Sequence, residues 1–204
     1  MTSATSRFGR RIRLGLIGGG GTSLIGPVHR AAARLDDSFE IVAGVLSSDP
    51  ERALSAAKSM GLARAYGRVE DMIANERTRQ DGIDAVVIVT PNDSHYDYAA
   101  QAIAAGLDVM CDKPLTNDLA SARALAAQAE ARGCVLALSH NYSGYPLVRE
   151  ARAAVAADEL GEIRLVHVAY LQGTLGTRVE DQPHALEVGV EAPLARNHGM
   201  AAAV

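Results

Sequence analysis

The stretch GLIGGGGTSLIGPVHR, Gly15 to Arg30, carries six glycines in sixteen residues and then turns into a helix-forming run. Its surroundings decide its meaning. The preceding RLGLIGG (13–19) is a compact apolar run ending in glycine, PVHRAAARL (27–35) favours helix, and FEIVAGVLS (39–47) is a second run rich in β-branched residues. Strand, loop, helix, strand is the order of a βαβ unit. The first turn of such a unit must bend sharply, let the backbone approach a pyrophosphate, and bring the helix close to the strand. Glycine meets all three demands because it lacks a Cβ. Gly18, Gly20 and Gly26 are the candidates, with Gly20 leaving the room that a pyrophosphate needs. They are separated by one and then five residues, where the common G-x-G-x-x-G fingerprint has one and two. The helix is therefore expected to start near Gly26 or Pro27, with its N-terminus toward the phosphates.

Working outward, SSDPERALSAAKSMG (47–61) reads as a helix with Asp49 as N-cap, Pro50 at the first helical position and Gly61 just past the end. A short strand near Ala65 and a helix from Val69 to Asn75 follow. IDAVVIVTP (83–91) is the most apolar run, as expected of a central strand covered on both faces. Residues 94–106 predict a helix stopped by Gly106, 107–111 a strand, 116–133 a helix ended by Gly133, and 135–140 another strand. Such alternation predicts a doubly wound parallel sheet of Rossmann type over residues 10–140, because parallel neighbours need crossovers and right-handed crossovers place helices on both faces. Beyond it, 145–161 reads as a helix and EIRLVHVAYLQG (162–173) as a long alternating strand. Residues 141–204 thus read as a linker helix and the incomplete start of an α+β second domain. An unpaired strand there predicts association with another chain, a homo-oligomer included, or a mobile C-terminal region.

Composition sets the class of partner. The 204-residue chain is 48% hydrophobic and 22% charged with a net charge of -4. A mildly acidic balance supplies no broad basic patch for nucleic acid, and no stretch approaches the ~20 apolar residues that a membrane helix needs. Cys111 and Cys134 lack metal-ligand spacing, so the expectation is no metal site and two reduced thiols in strands, in keeping with a cytoplasmic protein. Arg10 and Arg11 read as a solvated lead-in to the first strand.

Three motifs stand in order at strand ends: IGGGG...GPVHR, VTPNDSH and CDKPLT. With them, over residues 12–172, the chain resembles the Gfo/Idh/MocA family of glucose-fructose oxidoreductases and inositol dehydrogenases. DKP is similar to that family's E-K-P signature, with Asp112 in place of Glu. The resemblance implies NAD or NADP as cofactor, and Lys113 as the active-site lysine. It further implies Thr90, Pro91, Asn92, His95 and Asp112 beside the cofactor, Pro91 and Asn92 near its nicotinamide half. It implies a sugar, cyclitol or related polyol as substrate. The family's G-D-x-G-x-H-like segment, whose histidine is the general base, and the large sheet after it are not found here. His184 and His198 lack that setting, and the chain reads as the front part of such an enzyme.

The residues taken alone agree with this and leave some choices open. Ligands of open α/β sheets bind outside the carboxyl ends of the strands, where Gly18, Thr90, Lys113 and His140 all fall. A lysine beside a secondary alcohol can donate to its oxygen and stabilise negative charge developing there. Ser47 and Ser48 stand where an acid commonly binds the ribose hydroxyls, and Arg52 is either a 2′-phosphate ligand or a solvated helix residue, so NAD and NADP both remain. His140, Asn141, Tyr142 and Tyr145 follow the sixth strand as substrate-bordering candidates, although packing explains the tyrosines equally well. His29 covers the glycine loop from its helix. The alternative to an oxidoreductase is a dinucleotide-binding module without catalysis.

Overall fold

Six strands alternate with helices: β1 (Ile12–Gly18), α1 (Gly26–Ala32), β2 (Phe39–Val45), α2 (Pro50–Ser59), β3 (Arg64–Ala65), α3 (Val69–Arg77) and β4 (Ala85–Val89) come first. A 3-10 turn (Asn92–Ser94), α4 (His95–Ala104), β5 (Asp108–Cys111), α5 (Leu119–Arg132) and β6 (Leu136–Leu138) follow. The structure, a computed structural model, describes residues 8–21 and 23–169. The strands form one sheet in the order β3-β2-β1-β4-β5-β6, parallel at every pairing. This is the doubly wound order of a Rossmann fold.

The helices end where the sequence punctuates them. Asp49 Oδ1 accepts from Arg52 N at 2.8 Å, and Asp118 Oδ1 accepts from Ser121 N at 2.8 Å, so both carboxylates cap helix N-termini. Gly61, Gly106 and Gly133 have φ of +67°, +74° and +65°. Each carries the paired carbonyl contacts of a left-handed helix stop, as in Leu62 N to Ala57 O and Gly61 N to Lys58 O.

Two apolar clusters lie against the sheet, sorted by the two-residue period of its strands. Val87 and Val89 of β4 join Leu14, Leu16 and Leu46 in one, while Val86 and Ile88 join Met72, Ile103 and Leu125 in the other. β4 is therefore central and covered on both sides, as its unbroken apolar run predicts. Each fully buried Val or Ile contributes roughly 1.5–3 kcal/mol relative to exposure. Among the described residues, no helix is long and apolar enough to cross a membrane.

The chain divides after Ser139 into two compact units. In the second, a 3-10 turn (Asn141–Gly144) leads into α6 (Pro146–Ala156). α6 ends five residues before the expected Gly161, because Asp158 adopts φ +58° and the chain closes on itself through Asp158 N to Val155 O and Glu159 N to Ala154 O. An aspartate tolerates this conformation better than most residues and takes glycine's place. The expected strand over 162–173 is corrected for its described part: residues 163–169 form no strand. Alternation alone supplies no neighbour to take a strand's N–H and C=O groups. Residues 170–173, His184 and His198 lie outside the described residues.

Candidate active site

The strand order reverses between β1 and β4, where chains leaving the sheet depart to opposite sides and ligands of such folds bind. Gly18 at the end of β1 pairs with Val89 at the end of β4. A Cβ on Gly18 would stand 2.7 Å from Thr90 Cγ2 and 2.8 Å from Val89 O, and φ is +82°. Only glycine fits there.

From this point the turn is built by excluding side chains. A Cβ on Gly26 would overlap the Gly19 carbonyl oxygen and lie 2.6 Å from Gly19 Cα, so the first residue of α1 rests on the backbone of the turn. What Gly20 makes room for is the end of β2: its Cβ would be 2.6 Å from Leu46 O. Gly21, at φ +56°, is the turn glycine with nothing within 4 Å of its Cβ position. Two side chains fasten the turn: Arg30 Nη1 donates to Gly19 O at 2.6 Å, and Ser23 Oγ accepts from Gly26 N at 3.1 Å. The roles of Gly19 and Arg30 are not marked by the glycine spacing. The second follows from helix phase, since a residue in the first turn after Pro27 reaches back over the loop. A turn begun by four glycines at the switch point fits the pyrophosphate of a dinucleotide, because Gly18, Gly19, Gly20 and Gly21 carry no Cβ to hold its oxygens away.

Ser47 and Ser48 sit just past β2, next in sequence to the Leu46 that meets Gly20. Ser47 Oγ accepts from Asp49 N at 3.1 Å, and Ser48 is exposed. Asp49 is committed to capping α2 and lies 3.8 Å from Arg52 Nε, so the acid nearest the β2 tip is neutralised locally.

Across the switch point stand the residues after β4 and β5. Pro91 and Asn92 are exposed at the start of the 3-10 turn. Ser94 Oγ donates to Thr90 Oγ1 at 2.8 Å. Asp112 N donates to Ile88 O at 2.9 Å, which extends the β5–β4 ladder one residue beyond Cys111. Lys113, exposed, comes next, and its peptide bond to Pro114 is cis.

Asp112 also faces the glycine side: its Oδ1 lies 3.9 Å from His29 Nε2 of α1, so His29 does more than cover the turn. Burial pushes the Asp112 carboxyl up, but the His29 ring, the Lys113 backbone N–H and the charge on Lys113 together outweigh it and hold it below the ordinary carboxylate range. Burial and the neighbouring Asp112 charge push the Cys111 thiol up to about 12, leaving it protonated and inert. Cys111 closes β5, whereas Cys134 lies in the turn after α5 rather than in a strand; both are free thiols.

His95, expected beside the cofactor at the head of the following helix, opens α4 and turns inward. It is 1% exposed, and both ring nitrogens meet backbone carbonyls. Gly18, Gly20, Gly26, Thr90, Asp112 and Lys113 are brought to one edge of one unit. His140, Asn141, Tyr142 and Tyr145 belong to the second unit, where all four are exposed and the two tyrosine rings meet edge to face at 5.4 Å.

The fold and its glycine-built turn define a dinucleotide-binding α/β unit. Residues 12–140 match the GFO_IDH_MocA family, described as an oxidoreductase family with an NAD-binding Rossmann fold, and the chain belongs to it. An uncharacterized oxidoreductase YfiI of Bacillus subtilis is 34% identical over 169 residues, covering 81% of this chain and 43% of the relative. An inositol dehydrogenase homolog from Azotobacter vinelandii, solved with NAD+, superposes with a TM-score of 0.85 at 38% identity, over 96% of this chain and 51% of that one. Its complex with NADH and myo-inositol gives a TM-score of 0.75 at 39% identity over 79% and 43%. The chain thus spans about half the length of these relatives or less.

Proposed function

We propose that this chain supplies the cofactor-binding half of an NAD(P)-dependent oxidoreductase that oxidises a secondary alcohol of a cyclitol, sugar or related polyol. The observation that carries the reading is the meeting, at the switch point of the sheet, of a glycine-built turn with an exposed lysine one residue beyond an extended β5. Bound nicotinamide would take the hydride from the carbinol carbon. The residues of this chain do the rest of what we assign. Gly18, Gly19 and Gly26 shape the turn that receives the pyrophosphate, Ser47 and Ser48 border the adenosine ribose, and Thr90, Pro91 and Asn92 flank the nicotinamide half. The Lys113 ammonium donates to the substrate oxygen and stabilises the negative charge that develops as the hydride leaves. The hydroxyl proton goes to a base that we do not assign among the described residues. A cytosolic setting agrees with two free thiols.

The test is titration of the protein with NADH and NADPH, followed by nicotinamide fluorescence, together with NAD+- or NADP+-dependent oxidation of myo-inositol and a panel of sugars. Binding with oxidation of a polyol supports the proposal. Binding without turnover of any polyol favours the non-catalytic module, and absence of binding by either dinucleotide overturns both.

A further inference from the structure

His95 opens α4, is 1% exposed, and has both ring nitrogens engaged: Nδ1 stands 2.6 Å from Pro114 O and Nε2 stands 2.9 Å from Thr90 O. The two oxygens belong to the segments that leave the neighbouring strands β4 and β5. A carbonyl oxygen only accepts and a neutral imidazole carries one N–H, so the tautomer decides which carbonyl takes the bond; the Nδ1–H form gives it to Pro114 O, the shorter contact. One side chain therefore ties the VTPN segment to the DKP segment from underneath.

The consequence falls on the residue between the fixed points. Asp112 N is held by Ile88 O at 2.9 Å, and Pro114 O is held by His95. Lys113 is the single residue between them, so its backbone is pinned on both sides while its side chain stays exposed. A second tie, Asn117 Nδ2 to Asp93 Oδ1 at 3.1 Å, joins the same segments from an exposed position, where water competes. His95 is buried, so its bond carries most of the coupling. An apolar residue in its place would leave the Pro114 carbonyl without this donor.

We infer that His95 is a positioning residue: its imidazole fixes where the Lys113 ammonium is delivered relative to Thr90, Pro91 and Asn92, and it touches neither cofactor nor substrate. The mechanistic meaning of this placement rests on the role proposed above for Lys113. The placement itself is measurable without it.

The sequence provides the probe. The chain contains two lysines, Lys58 in α2 and Lys113, so reductive 13C-methylation, which keeps the charge, yields one lysine resonance from each. The experiment compares the full chain with His95→Leu, which removes both ring nitrogens, His95→Asn, whose amide takes the place of Nδ1, and His95→Gln, whose amide takes the place of Nε2. The expected result is that the Lys113 resonance moves by more than its linewidth in the Leu and Gln variants, stays near its original position in the Asn variant, and leaves Lys58 unmoved throughout. NADH affinity should change by less than about threefold in all three. A Lys113 resonance unmoved in folded His95→Leu and His95→Gln overturns the inference. So does a Lys58 resonance that shifts as much as Lys113, which would mark a general loosening. If His95→Leu does not fold, the contrast between Gln and Asn decides. If none folds, the scalar coupling across the bond from Nδ1 to Pro114 O in the unaltered chain decides, and its absence overturns the inference. Failure of the unaltered chain to bind either dinucleotide removes the proposed function and leaves the Lys113 shifts readable on their own.

Discussion

The turn after β1 and the turn after β5 stand at the same edge of the sheet and are built by opposite means. Between Gly18 and Gly26 the backbone packs on itself, with Gly26 on Gly19 and Gly20 on Leu46, because side chains have been removed. Between Asp112 and Pro114 the backbone is held because side chains and strand ends reach in: His95 on one side, Ile88 O on the other, His29 facing Asp112. The first construction leaves space and the second leaves one charged group projecting. A pyrophosphate needs the former and a reacting oxygen the latter.

The sharpest way to break this comparison is to remove the projecting charge. Lys113→Met keeps most of the side-chain volume, so dinucleotide affinity and folding should persist while polyol oxidation falls on the order of 100 to 1,000-fold, about 3–4 kcal/mol in the barrier. Steady-state kinetics with parallel NADH titration measures both; a variant within a few-fold of the unaltered rate would make DKP a strand end and nothing more.

On the glycine side the effect should be structural. Gly26→Val drives a branched side chain into the Gly19 backbone and should cost about 1–3 kcal/mol or more, with loss of NADH binding in the same variant. Gly21→Ala meets open space and should cost only about 1 kcal/mol, through its positive φ. Thermal unfolding of the pair separates the two, and equal losses would mean that the turn is merely flexible. At the foot of the neighbouring helix, Asp49→Ala removes a cap bond and should lower stability by about 1 kcal/mol, a shift in Tm of roughly 2–4 °C.

The smallest effect links the two turns. Asp112 titrates below the ordinary carboxylate range in the folded chain, so its contribution is fully present above the unfolded value and is lost as pH falls through the folded one. Stability measured against pH should therefore decline on the acid side, below about pH 4, with a steeper limb in the unaltered chain than in Asp112→Asn. Above pH 5 the Asn variant should already be slightly less stable. Superimposable acid limbs would mean that the folded chain does not hold the Asp112 carboxyl down.

Where local chemistry decides, the sequence suffices. The Asp49 cap, the three glycine stops and the central β4 are each written within a dozen neighbouring residues, and the βαβ order is three such runs in succession. So are the glycine cluster and the lysine after β5. What the sequence does not show is contact between segments distant in the chain: Leu46 filling the space beside Gly20, and His95 spanning from Thr90 to Pro114. A histidine two residues past an Asn-Asp pair looks in sequence like a group facing a ligand, and only its burial reveals that it faces carbonyls. The strand expected over 162–173 failed in its described part for the complementary reason. Its periodicity is local, but a strand exists only with a neighbour.

The sheet tapers. Seven residues form β1 and seven form β2, while the outermost strands β3 and β6 have two and three. A short rim offers an incoming strand few N–H and C=O groups in register, which is how natural sheets avoid growing into fibrils. Any pairing of two copies of this chain through the sheet would gain very few ladder bonds. Its rim thus acts as a built-in safeguard against amyloid-like stacking by brevity, with the charge of Arg64 in β3 added at one edge.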